Sequence, residues 1–154
     1  MKEVPNKGSF SPGSGRARCY SVSILQLERQ DLTIFVVDDE ELITVSLTEI
    51  LRREGFAVTP FTNPLKALAH MKNATPDLLI SDVMMPELSG IDLAIQTRDS
   101  IPGCKILLIS AAAEDLLRET GGQGFGFRLL AKPLHPSELL LEIEALTEKC
   151  ADPC

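Results

Sequence analysis

Five polar residues stand where apolar runs stop: Asp38 and Asp39 after "TIFVV", Asp82 after "LLIS", Ser110 after "KILLI" and Lys132 after "RLLA". A charge in such a place demands a reason, because taking it out of water is costly. Carboxylates brought together repel, and the conflict resolves by uptake of a proton or a cation. An all-oxygen cluster with access to water suits Mg²⁺, which takes one or two carboxylates and keeps several waters. A lysine beside it balances charge or grips an arriving anion, and a hydroxyl donates to that anion. Metal, ammonium and hydroxyl around one free carboxylate oxygen are the parts of a phosphoryl acceptor. The carboxylate attacks phosphorus, the cations neutralise the equatorial oxygens, and an acyl phosphate results. Each residue alone has a plainer reading. Asp38-Asp39 can cap a helix that opens with Glu40-Glu41, Asp82 can turn the chain, Ser110 can be a loop hydroxyl and Lys132 a surface lysine. The case for chemistry rests on their recurrence.

The elements that must position them alternate along the chain. Leu32 to Val37 is a nearly unbroken apolar strand. Glu40 to Glu54 carries Ile43, Leu47, Ile50 and Leu51 at helical spacing, with Gly55 where a left-handed cap is needed. Ala57 to Phe61 is a short strand. Asn63-Pro64 starts a helix to about Asn73 with Leu65, Leu68 and Met71 inward. Leu78 to Asp82 is the third strand. A helix follows Gly90, carries Ile91, Leu93, Ala94 and Ile95, and stops before Pro102. Lys105 to Ile109 is the fourth strand. A weaker helix over Ala113 to Glu119 dissolves into "TGGQGFGF", and Phe127 to Ala131 is the fifth strand. The last helix has Pro136 at its first position and a stripe of Leu139, Leu140, Ile143 and Leu146. One Leu of the run 139–141 is free to face solvent or a partner.

Strands buried on both faces and separated by helices predict an α/β fold, a parallel sheet covered on each side with right-handed crossovers. In such a sheet the carboxyl ends share one edge, where open α/β folds bind ligands. That edge would collect Asp38, Asp39, Asp82, Ser110 and Lys132.

The bulk numbers narrow the classes. A chain of 154 residues suits one domain, and 44% apolar with 24% charged residues is an ordinary globular composition. Net charge is −7; residues 1–30 hold five basic and two acidic side chains, so the rest of the chain carries −10. An acidic body argues against direct nucleic-acid binding. No apolar run approaches the ~20 residues of a membrane span, and "MKEVPNKGSFSPGSG" lacks the apolar core of a secretory signal. The cytoplasm is therefore the expected compartment. Cys19, Cys104, Cys150 and Cys154 form no CxxC pair and have no neighbouring His, which speaks against zinc; they read as reduced thiols. His70 and His135 read as structural or solvated, with His135 at a helix cap. Residues 1–30, rich in Gly, Ser and Pro, read as a flexible extension, residues 31–149 as the domain, and residues 150–154 as a short tail.

On "VVDDEE", "ISDVMMPELSG", "LLISA" and "LLAKPLHPSELL" the chain resembles the receiver domain of bacterial response regulators over about residues 31–149. The resemblance implies a flavodoxin-like, doubly wound five-stranded parallel sheet of order 2-1-3-4-5 with helices on both faces. It implies a phosphohistidine donor, on a sensor histidine kinase or a histidine phosphotransfer protein, and Asp82 as the phosphorylated residue. It implies Mg²⁺ bound directly by Asp39, Asp82 and the backbone carbonyl of Met84, with Asp38 acting through water. Ser110 becomes the switch hydroxyl, and Lys132 the phosphoryl contact before a cis bond to Pro133. Output would pass to a protein partner through the strand 4–5 and last-helix face, from a monomer or a phosphorylation-linked homodimer. Three positions bear on tuning. Leu129 stands where the family has an aromatic residue, with Phe127 on the same strand face as a candidate substitute. Met84 and Ala112 cannot orient an attacking water, so autodephosphorylation is expected to be slow. Two competing functions remain open: a degenerate receiver that binds partners without phosphorylation, and an aspartyl-phosphate phosphatase. The phosphatase nucleophile motif places a second Asp two residues after the first, where this chain has Glu40. A flavodoxin proper is disfavoured, because its first loop would need a phosphate cradle and this loop is rich in carboxylates.

Overall fold

The structure, a computed structural model, describes residues 29–147. The N-terminal extension up to residue 28, the tail and Cys19, Cys150 and Cys154 lie outside the described residues. Five strands, β1 (Thr33–Val37), β2 (Ala57–Phe61), β3 (Leu78–Asp82), β4 (Lys105–Ser110) and β5 (Arg128–Ala131), alternate with five helices. The helices are α1 (Glu41–Arg53), α2 (Pro64–Met71), α3 (Gly90–Ser100), α4 (Ala113–Glu119) and α5 (Pro136–Thr147). The sheet is parallel throughout, in the order β2-β1-β3-β4-β5, as expected.

Two-residue alternation divides the core. Ile34 and Val36 of β1, Leu78 and Ile80 of β3, and Leu107 and Ile109 of β4 face α1 and α5, against Leu47, Leu51, Leu139 and Ile143. Phe35, Val37, Leu79, Ile106 and Leu108 face the other way, onto Ala67, Met71, Leu93 and Ala94 of α2 and α3. Each fully buried aliphatic side chain contributes roughly 1.5–3 kcal/mol of hydrophobic stabilisation. That is enough to hold the strand ends rigidly in register.

Two local expectations are corrected. Leu65 is 49% exposed, because α2 starts at Pro64 and buries Pro64, Ala67 and Met71 at helical spacing, leaving Leu65 about 100° round the helix. The fifth strand starts at Arg128 and not at Phe127. A 3₁₀ turn at Gly124–Gly126 precedes it, and the Phe127 N–H donates back to the Gly124 carbonyl at 3.1 Å. Gly55 does adopt a left-handed conformation, with φ 96°, as the end of α1 requires.

Candidate metal and phosphoryl site

Sheet register assembles the site. Val37 lies opposite Ser81 and Asp82 opposite Ile109, so Asp38 and Asp82 leave adjacent strands side by side. Ser110 lies opposite Ala131, and the Lys132 N–H donates to the Ser110 carbonyl at 3.0 Å. Lys132 thus joins the same edge from the outer strand, with its peptide bond to Pro133 in the cis form.

Lys132 Nζ lies 3.1 Å from Asp38 Oδ2 and 3.2 Å from Asp82 Oδ1. Asp38, Asp39 and Asp82 each offer a carboxylate oxygen within 4.8 Å of the others'. Asp38 and Asp82 are buried, at 2% and 6% exposure, whereas Asp39 is exposed. The pocket is therefore open on the Asp39 side. Burial, followed by the charge on Asp38, raises the Asp82 carboxyl above its ordinary value; the Lys132 ammonium opposes this without cancelling it. For Lys132, burial pulls the ammonium down, but hydrogen bonds and charge from Asp38 and Asp82 together hold it above its ordinary value.

With all three carboxylates ionised, one ammonium leaves two negative charges uncompensated, the charge of one divalent cation. Three oxygen donors, two of them walled by protein and one facing water, form a set of the kind hard cations such as Mg²⁺ accept. The described residues thus fit such an ion. No soft or nitrogen donor stands among them.

The plainer roles coexist with this one. Asp38 Oδ1 accepts the Glu40 N–H at 2.9 Å, so the carboxylate does steady the start of α1. Ser110 is fully buried, and its Oγ accepts the Ala112 N–H at 3.0 Å; among the described residues it makes no hydrogen bond to the charged groups. Met84 projects its side chain into solvent at 71% exposure. His135 precedes α5, its carbonyl accepting the Leu139 N–H and its Nδ1 lying 2.7 Å from Ser137 Oγ. His70 packs beside the rings of Phe35 and Phe61. Cys104 is buried and free, its thiol pushed by burial up to about 12, which leaves it inert at neutral pH. A groove between α2 and α3, lined in part by Leu65, Leu68, Lys72 and Thr75, contains none of the charged site residues.

Two residues near the site take no site role from the sequence. Ser81 is fully buried and donates through Oγ to the Asp82 carbonyl at 2.9 Å. Gly90 opens α3 directly against that carbonyl: a Cβ there would lie 1.9 Å from the Asp82 oxygen. A glycine at the first position of a helix is the signal that could have pointed to a close approach.

Fold and site together define an α/β receiver domain with an acidic pocket able to hold a metal ion. The family model for the response regulator receiver domain matches residues 34–144, and the chain belongs to that family. It is 34% identical over 122 residues to a probable transcriptional regulatory protein, TcrX, of Mycobacterium tuberculosis, covering 78% of this chain and 51% of that protein. It is 32% identical over 117 residues to the transcriptional regulatory protein CreB of Escherichia coli, covering 76% and 51%. The chain therefore spans about half the length of the curated relatives it matches. Among solved structures, the response regulator TrrA of Thermotoga maritima, in complex with Mg²⁺ and a beryllium fluoride, superposes with a TM-score of 0.66 at 30% identity. That alignment covers 75% of this chain and 98% of TrrA. Residues 34–144 are accordingly a phosphoacceptor signalling domain, and their acidic pocket is consistent with Mg²⁺-dependent phosphorylation. Among the described residues, no helix is long and apolar enough to cross a membrane.

Proposed function

We propose that residues 31–149 form a receiver that takes a phosphoryl group onto Asp82 from a phosphohistidine of a sensor histidine kinase or a histidine phosphotransfer protein. The carrying observation is the Lys132 ammonium, in contact with Asp38 and Asp82 at once, beside the open Asp39 carboxylate. An Asp82 carboxylate oxygen forms the bond to phosphorus as the phosphorus–imidazole bond breaks, and the imidazole leaves with that electron pair. Asp39, Asp82 and the Met84 carbonyl would hold Mg²⁺ directly, with Asp38 acting through water. Bound there, the ion supplies Lewis-acid neutralisation of phosphoryl oxygens. Lys132 contributes a second positive charge to the same oxygens, and Ser110 supplies the hydroxyl that reports the new group.

Leu42 and Met84 are 82% and 71% exposed. They follow Asp39 by three residues and Asp82 by two, two exposed apolar side chains close in sequence to the acidic residues and available to a protein donor. Downstream, the β4–β5 and α5 face passes the signal to a protein partner in the cytoplasm, from a monomer or a phosphorylation-linked dimer. With Met84 and Ala112 beside the acceptor, the acyl phosphate should persist for minutes or longer. Residues 1–30 are an extension and residues 150–154 a tail to this unit.

A second reading, a receiver that binds partners without phosphorylation, is favoured by Leu129, a half-buried aliphatic where an aromatic switch residue is expected. Incubation with acetyl phosphate or phosphoramidate and Mg²⁺, followed by intact mass, separates the two. About 80 Da added to the wild type and not to Asp82→Asn is the expected result, one phosphoryl unit on the nucleophile. No added mass on the wild type would select the second reading.

A further inference from the structure

α1 buries two threonines, Thr44 and Thr48, on the face that also carries Leu47 and Leu51. Hydroxyls on a core-facing stripe are unusual unless they serve something. Thr48 has an ordinary partner, the Thr44 carbonyl one turn back at 2.7 Å. Thr44 has a different one. Its Oγ1 lies 2.9 Å from the carbonyl of Asp38, outside the helix, and 3.2 Å from the Glu40 carbonyl one turn back. A hydroxyl has a single proton to donate, and the shorter contact is the one to Asp38.

That contact completes the anchoring of Asp38. The Asp38 N–H donates to the Phe61 carbonyl at 3.1 Å, Oδ1 accepts from Glu40 and Oδ2 from Lys132. The carbonyl is the last polar atom of the residue, and its peptide plane leads into Asp39. Asp39 itself makes no side-chain hydrogen bond among the described residues and stands exposed at the open side of the pocket. Its direction therefore depends on the backbone that carries it.

We propose that Thr44 is a positioning residue for the acidic pair. Its buried hydroxyl holds the Asp38–Asp39 peptide plane and so aims the unsupported Asp39 carboxylate at the divalent cation. This rests on the Mg²⁺-receiver reading above. It assigns a role to a residue on the core side of α1 that touches neither the ion nor the phosphoryl group.

The test is the Mg²⁺ dissociation constant of the unphosphorylated full chain by titration calorimetry, for wild type, Thr44→Ser, Thr44→Val and Thr44→Ala. Each variant is also melted in EDTA. Val keeps the volume of Thr and loses the hydroxyl; Ser keeps the hydroxyl and loses volume. Positioning through the hydroxyl orders Mg²⁺ affinity as wild type, then Ser, with Val and Ala weaker by about 10-fold, the lower end of the range for outer contacts that orient metal ligands. Packing alone orders melting temperatures by volume, leaves Val nearest wild type and lets Mg²⁺ affinity follow stability; that outcome overturns the proposal. Equal affinity in all four also overturns it. Should Thr44→Val not fold, Ser against Ala, one oxygen apart, gives the same comparison. Absence of Mg²⁺ binding by the wild type would instead defeat the functional reading on which the proposal stands.

Discussion

Asp82 is held against its own chemistry in the metal-free protein. It is buried, it shares its edge with Asp38, and its carboxyl is raised above the ordinary 3.8 by burial first and the neighbouring charge second. A folded-state value above the unfolded one means the folded protein binds the proton more tightly. Stability from this group is then complete below about pH 3.8 and is lost as pH rises through the raised folded value. At neutral pH the ionised carboxylate is a net cost, so Asp82→Asn should stabilise the metal-free protein. About 1 kcal/mol, or roughly 4 °C in melting temperature at this size, is the expected gain in EDTA at pH 7. Mg²⁺ should then raise the melting point of the wild type more than that of the variant. A variant that melts below wild type in EDTA would show that the Lys132 contact outweighs burial and repulsion.

The elements bring these residues together by a mechanism largely legible beforehand. Apolar runs of five or six residues ending in a charge, in a chain that alternates strand and helix, specify a parallel sheet with its polar ends on one edge. For that reason Asp38, Asp39, Asp82 and Lys132 were predictable as neighbours, while Ser110 proves to turn its Oγ onto the Ala112 N–H. What the pattern could not carry is contact at the scale of one atom. Leu65 reads as inward by composition and is turned out by the phase of α2. Thr44 takes no role from the apolar spacing of its helix and bonds to a strand-end carbonyl. Gly90 reads as punctuation, yet only glycine fits where α3 starts against Asp82. Gly90→Ala would press a methyl into the Asp82 carbonyl oxygen and carbon and the Val83 Cα, all backbone atoms. The expected cost is roughly 2–3 kcal/mol of stability, since overpacked backbone contacts cannot relax as side chains do, together with slower phosphorylation by small-molecule donors. Chemical denaturation and mass spectrometry check the two, and a fully stable, normally phosphorylated Ala variant would contradict the close approach.

At the same scale, α5 is tied to β5 by Arg128. Its Nε and Nη2 donate to the two oxygens of Glu142 at 2.6 and 2.7 Å, and this hydrogen bonding is the main cause holding the Glu142 carboxyl below its ordinary 4.5. A depressed acid contributes stability that is present above pH 4.5 and lost as pH falls through the folded value. The Arg128 side chain is 58% exposed although Glu142 is mostly covered, so Arg128→Ala should cost only about 0.5 kcal/mol at neutral pH. The difference from wild type should vanish on the acid side of that window. A difference that persists after Glu142 is protonated would assign the effect to packing of the Arg stem.

Across the whole molecule, the site is where three strands of one sheet are tied at their ends, and a single ammonium does the tying. Lys132 reaches from β5 to the ends of β1 and β3, so the outer and central parts of the sheet share one electrostatic joint. The chain as a whole is acidic, at −7, which adds a background that favours cations at this edge. In Lys132→Met the buried carboxylates of Asp38 and Asp82 lose their counter-charge. Removing one partner from a partly buried pair leaves the other uncompensated, here an expected loss of about 1–3 kcal/mol in EDTA. A divalent ion can supply what the ammonium did, and it no longer meets a like charge on entry. Mg²⁺ affinity should therefore rise in Lys132→Met although stability without metal falls, and saturating Mg²⁺ should recover more stability in the variant than in the wild type, as linkage requires. Phosphoryl uptake should still drop, because the transferred group needs both positive charges and the ion replaces only one. Melting curves across a Mg²⁺ series, with affinities from calorimetry, read the coupling directly. Unchanged or weaker Mg²⁺ binding in the variant would mean that the ammonium and the ion do not share these carboxylates, and the site would have to be rebuilt around a different cation position.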